Sequence, residues 1–205
     1  MCIRDRIYGA IGGVPAYLDK WDAAKSFKEN ICRLVLTPSG ALYGEADAVI
    51  SSELRELSAY STILAAIARG ENKLNDIFHA TGFSRAKISV YLKNLATFNI
   101  VEKVVSFETG GWENAKKGVY QIKDTFVNFW FKFVYPNMSN LYLLSPEEFY
   151  DTYIEKELDA YLERYFREVC TEYLLILNQM GQLPFTIKRV GTWIGKTGRI
   201  DIVAP

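Results

Sequence analysis

The stretch Ile200-Asp201-Ile202-Val203 sets a carboxylate among apolar neighbours in a strand-like run. A buried carboxylate is costly unless it is paired or bound to a metal. Two solutions fit. Asp201 sits on the solvent side of a hairpin edge, or it is a Mg²⁺ ligand among two or three acids that clamp a metal for phosphodiester hydrolysis. Glu168, on the long helical stretch before it, is a further acid for such a site. A complete nuclease site also needs an acid and a lysine on a following strand, and the 205 residues contain none after Asp201. No catalytic set is therefore complete.

A second set of residues has the chemistry of nucleic-acid contact. Ile77-Phe78, Thr81-Gly82-Phe83-Ser84, then Ile88, Leu92 and Leu95, then Ile100-Val101-Glu102 have helix-turn-helix spacing. Gly82 suits a tight turn with positive φ. The apolar positions lock the third helix down and leave its opposite face for a major groove. Arg85, Lys87 and Lys93 are the expected phosphate contacts, and Asn94 the expected base-edge contact. Lys116 and Lys117, in the polar loop that follows, are placed to touch adjacent backbone. Residues 53–123 hold roughly ten basic and seven acidic side chains, a small local excess. The alternative is a protein-interaction or oligomerisation module that binds no DNA.

Other reactive residues carry less. His79 is the sole histidine and has no acid or thiol at ligand spacing, so a structural role is expected. Cys2, Cys32 and Cys170 are far apart with no CxxC pair, so neither a disulfide framework nor a Cys/His zinc site is expected. The run Phe126–Phe133 is expected to be core, with a base-stacking platform as the lesser reading.

These residues need elements to position them. Periodicity predicts a helix over 53–69, capped by Ser52 and ended by Gly70, then a shorter helix at Leu74–Phe78. A third helix begins after Ser84. The β-branched runs 100–105 and 119–122, joined by a Gly-rich loop, predict a hairpin. Three helices followed by a hairpin is the winged-helix order. An aromatic helix after Asp124, another opened by Pro146, and a long helix over 154–180 follow. The long helix has Leu158, Leu162, Phe166, Val169, Tyr173, Leu174 and Leu177 along one broad face. Residues 185–190 and 199–203 are expected strands about a turn at Gly195 and Gly198.

Composition is that of an ordinary folded protein: 49% hydrophobic, with a formal net charge of zero. Any DNA affinity must then come from a local patch. The longest apolar stretch is too short to span a bilayer, no secretory h-region follows Met1–Arg6, and a reducing cytoplasm is the expected compartment.

Several segments in order resemble a known family. They are Gly12-Gly13-Val14-Pro15-Ala16-Tyr17-Leu18, the winged helix, Phe129-Trp130-Phe131-Lys132-Phe133, Phe166-Arg167-Glu168-Val169-Cys170, and Trp193 with Ile200-Asp201-Ile202-Val203-Ala204. The set resembles the C-terminal half of archaeal-type P-loop ATPases of the AAA/STAND class, which also occur in bacteria. That resemblance implies a helical-lid remnant at 7–52 and a winged helix-turn-helix at 53–123. It implies an aromatic connector at 124–153 and a truncated PD-(D/E)XK nuclease-like α/β domain at 154–205. Asp201 would match the first strand acid of that fold, and Glu168 its helical acid. ATP and Mg would be cofactors of the parent protein, not of this chain, which has no GxxxxGK[ST] loop. Trp193-Ile194 stands where the family often has two tryptophans. Met1–Arg6 resembles a translated sequencing adaptor and is left out of the fold expectations.

The expected fold is mainly α with small β: a winged helix followed by a truncated α/β domain. The expected function is double-stranded DNA binding, without catalysis, in part of an ATPase whose core is missing. Residues 181–205 are expected to be poorly ordered, because a sheet without its remaining strands exposes an edge.

Overall fold

The computed structural model describes residues 3–51, 54, 56–109, 118–195 and 198–204. It is mainly helical, with two small antiparallel sheets. Helix α1 (Ile3–Ile11) opens the chain and α2 (Pro15–Leu18) follows, started by Pro15 in the first turn. The adaptor-like residues 3–6 form the first turn of α1, and Arg6 pairs with Asp159 at 3.0 Å.

Helix α3 (Phe27–Ile31) begins with a reciprocal capping box between Ser26 and Glu29, then widens into a π-type turn over Cys32–Leu36. Helix α4 (Glu45–Ser51) leads to three helices: α5 (Leu57–Ala68), α6 (Leu74–Thr81) and α7 (Arg85–Thr97). Gly82 closes α6 at φ +70°, and the Ser84 hydroxyl caps α7 by accepting the Lys87 N–H. Strands β1 (Val101–Val104) and β2 (Val119–Ile122) pair antiparallel, Val101 opposite Ile122.

Helix α5 departs from the expected span of 53–69 at its start. Glu56 takes φ −104° and ψ 66°, outside the helical range, and accepts the Tyr91 hydroxyl from α7. That side chain is turned toward the third helix instead of continuing α5. Ser52, the expected cap, lies outside the described residues.

Asp124 caps α8 (Thr125–Phe129), accepting the Val127 N–H at 2.8 Å. A second π-type turn follows over Trp130–Val134. Phe126, Phe129, Trp130, Phe131 and Phe133 are all buried. The stacking-platform reading therefore fails, because no ring face is available to a base. Short α9 (Met138–Leu141) leads to α10 (Pro146–Tyr153), whose Ser145 and Glu148 form another capping box. The long α11 (Glu155–Gln179) closes the helical body.

The buried residues form one contiguous core running from Ala10 through the three-helix unit and the aromatic helix to Tyr165. Gly9 allows α1 to lie against α11, since a Cβ there would fall 2.2 Å from Leu162 Cδ2. Inside this core Asn128 donates to the Tyr165 hydroxyl at 2.8 Å, and the Tyr161 and Tyr165 hydroxyls are 3.1 Å apart. The polar groups thus satisfy one another away from water.

Two expectations for the C-terminal quarter need correction. Only Leu158, Leu162 and Tyr165 of α11 are buried, and Phe166, Val169 and Tyr173 on the expected apolar face are exposed. The expected strand at 185–190 is displaced to β3 (Gly191–Ile194), paired with β4 (Arg199–Val203). Asn178 explains the shift. Its amide donates to the Ile187 carbonyl at 3.1 Å and its carbonyl accepts the Ile187 N–H at 2.7 Å. Both backbone groups that a strand ladder would use are taken.

The β3–β4 hairpin, expected to be poorly ordered, is laid against residues 106–108. Trp193 Nε1 donates to Glu108 at 2.7 Å, the Ile194 N–H donates to Ser106, and the Arg189 guanidinium stacks 3.9 Å over Phe107. Gly191 permits this approach, since a Cβ would come within 2.9 Å of that ring.

Candidate functional site

Helix α7 is held by Ile88, Tyr91, Leu92 and Leu95, all buried. Its outward side is Ala86, Ser89, Val90, Lys93 and Thr97, spaced three or four residues apart and exposed. The expected DNA contacts divide on this geometry. Lys93 is exposed on the outward side. Arg85 lies at the exposed start of the helix, where it donates to Asn75 at 2.6 Å and stacks 4.0 Å over Phe78. Lys87 sits over the Phe83 and Tyr91 rings and pairs with Glu56 at 3.7 Å.

Asn94, expected to reach a base edge, turns inward and donates to the Tyr60 hydroxyl at 2.8 Å. The physical reason is position. Three residues after Tyr91, whose ring packs 4.3 Å from Tyr60, Asn94 meets a buried hydroxyl that needs a partner. The Tyr91 hydrogen bond holds the Glu56 carboxyl below its ordinary range, and the same bond pushes Tyr91 up to about 12. Lys116 and Lys117 lie outside the described residues. His79 is exposed beside Phe78 and belongs to no metal-binding cluster among the described residues.

The second expected site converges in space. Asp201 and Glu168 line one cleft of about 460 Å³ between α1, the β1–β2 hairpin, α11 and β4. Sequence reasoning did not weigh the arginines there. Asp201 Oδ1 accepts from Arg167 Nε at 3.2 Å and Arg199 Nε at 2.9 Å. Glu168 accepts from Arg164 Nε at 3.1 Å. The signals were present: Arg199 and Asp201 are two apart on one strand face, and Arg164 and Glu168 are four apart on one helix.

Burial raises the Tyr8 hydroxyl in this cleft, helped by Glu168 and Glu172. Asp201 remains 42% exposed, the water-facing alternative of its two readings. This donor set does not fit a divalent cation. Both acids are neutralised by guanidiniums that a metal would have to displace, and the described residues contain no cluster of three or more His, Cys, Asp or Glu side chains that could hold one. No helix among them is long and apolar enough to cross a membrane.

Fold and cleft together define a mainly helical protein with small antiparallel sheets and a charge-balanced groove. Residues 130–205, from the aromatic π-type turn to the end, match DUF234, a family described as archaeal and bacterial proteins of unknown function. An uncharacterized protein of Methanocaldococcus jannaschii is 32% identical over 199 residues, 97% of this chain and 44% of that relative. The chain thus spans less than half the length of the relative. No solved structure matches.

Proposed function

We propose that residues 57–122 are a winged helix that docks on protein, within a portion of a longer ATP-dependent protein. Two features support the winged-helix reading: the order α5–α6–α7–β1–β2, and the Ser84-capped third helix locked down by Ile88, Leu92 and Leu95. The observation that carries protein docking is the composition of the outward side of α7. Ala86, Ser89, Val90 and Thr97 are small and neutral, and Val90 is more than half exposed. Small neutral side chains suit a flat protein contact. A phosphate backbone selects for cations. The M. jannaschii relative is long enough to hold a nucleotide-binding core beside the matched segment. That core is the partner proposed for α7.

The test is amide-shift mapping of the ¹⁵N-labelled chain against the separately produced portion of the M. jannaschii relative that lies outside the matched segment. Shifts concentrated at Ala86, Ser89, Val90 and Lys93, and abolished by Val90→Glu, are expected. Absence of any perturbation on α7 would refute the reading.

Duplex DNA is the second reading. The exposed cations Arg85 and Lys93 favour it, with Ser89 between them. The C-terminal segment is proposed as part of an α/β nuclease-like domain without nuclease activity in this chain, because arginines occupy Asp201 and Glu168.

A further inference from the structure

A pocket of about 210 Å³ lies where α5 and β2 meet the aromatic helix and α11. Ile67 and Ala68 of α5, Ile122 of β2, and Tyr120 and Tyr161 give it apolar and aromatic walls. Asn128 and Lys132 enter from the aromatic helix and its π-type turn. Arg164 enters from α11, three residues after Tyr161 and so on the same side of that helix. Two cations and no carboxylate thus line the pocket among the described residues. The acids paired with those cations, Glu157 on Lys132 at 2.7 Å and Glu168 on Arg164 at 3.1 Å, stand outside the lining. Burial raises the Tyr120 and Tyr161 hydroxyls, so both are neutral at physiological pH. The pocket therefore presents positive charge, unlike the balanced cleft with which it shares Gln121 and Arg164.

Two groups in it have unused hydrogen-bonding capacity. Arg164 donates through Nε alone, to Glu168, and its Nη atoms find no acceptor among the described residues. Asn128 is only 8% exposed, and its Nδ2 donates to the Tyr165 hydroxyl, while its Oδ1 accepts no hydrogen bond from the described residues. Among those residues Trp130 Nε1 is the one fully enclosed side-chain polar atom without a partner, so Asn128 Oδ1 keeps access to the pocket that its residue lines.

From this arrangement we infer that the pocket binds a small aromatic carboxylic acid carrying a hydroxyl or amino group. The ring lies among Tyr120, Tyr161 and Ile122. The Nη edge of Arg164 takes the carboxylate, a match of fork to fork, and Lys132 adds charge. The hydroxyl or amine of the ligand donates to Asn128 Oδ1. Size agrees: an apolar cavity of about 150 Å³ holds benzene, and about 210 Å³ holds a ring with two small substituents. The inference does not depend on what α7 contacts.

The test is an amide-shift titration of the full 205-residue chain with each of the three hydroxybenzoate isomers. At least one isomer should bind with a Kd on the order of 1 mM or below, shifting the amides of Ile67, Gly70, Tyr120 and Tyr161. The matching hydroxybenzamide lacks the charge, benzoate lacks the donor and acetate lacks the ring. Each should bind about tenfold more weakly or worse. Arg164→Gln should weaken binding by a similar factor, whereas Arg167→Gln, which lines the cleft but not the pocket, should leave it unchanged. No shift from any isomer at about 10 mM, equal affinity for the amide, benzoate or acetate, or equal affinity of the two arginine variants would overturn the inference. The ligand comparisons use the unaltered chain, so they decide the matter even where a variant fails to fold.

Discussion

Asp124 holds two opposed roles in one carboxylate. It caps α8 through the Val127 N–H, yet burial raises its pKa, partly offset by its cap hydrogen bonds, and Glu45 adds to the rise. A raised folded-state pKa means that the native chain binds the proton more readily than the unfolded chain. The cost of the charge is therefore present at neutral pH and is relieved as pH falls through the raised value. Asp124→Asn, which keeps a good cap, should be at least as stable as the parent at pH 7, with any gain shrinking in acid. Asp124→Ala should lose about 1 kcal/mol with the cap. Urea melts at two pH values check both. Cys32 is a second case: burial pushes its thiol up to about 12, so it should resist a thiol reagent until the chain unfolds, while half-exposed Cys170 is labelled in the native state. Timed labelling with and without denaturant distinguishes them. Asp201→Asn should change stability by less than ~1 kcal/mol, because its ion pairs are solvent-exposed. A larger loss would mean that the cleft carries structural weight.

At the scale of elements, local rules and periodicity located much of the structure. Ser84, Gly82, Asp124 and Pro146 mark helix ends that the chain uses, and the stripe Ile88, Leu92 and Leu95 is buried as its spacing requires. Expectations failed where a side chain from another element intervened. Glu56 leaves α5 to meet Tyr91, and Asn178 takes the backbone of Ile187, neither of which periodicity can register. The same limit applied to the sites. Asp201 and Glu168 were legible as a pair, but the arginines that neutralise them act across elements as well as along them. Asn94 was misjudged because its partner, Tyr60, is 34 residues away. Asn178→Ala should release the Ile187 amide, and hydrogen exchange should show its protection lost while that of α7 is retained. Unchanged protection at Ile187 would contradict the account of the displaced strand.

For the whole molecule, a net charge of zero leaves function to local surfaces. The outward side of α7 is one of them, and the central claim is that it meets protein and not a phosphate backbone. Fluorescence anisotropy of a labelled DNA duplex, titrated with this chain at low and moderate salt, tests that claim most directly. The account predicts little binding at either salt and no difference for Lys87→Ala/Lys93→Ala. Tight binding with a steep salt slope, flattened by that double change, would contradict it and establish α7 as a DNA-reading helix.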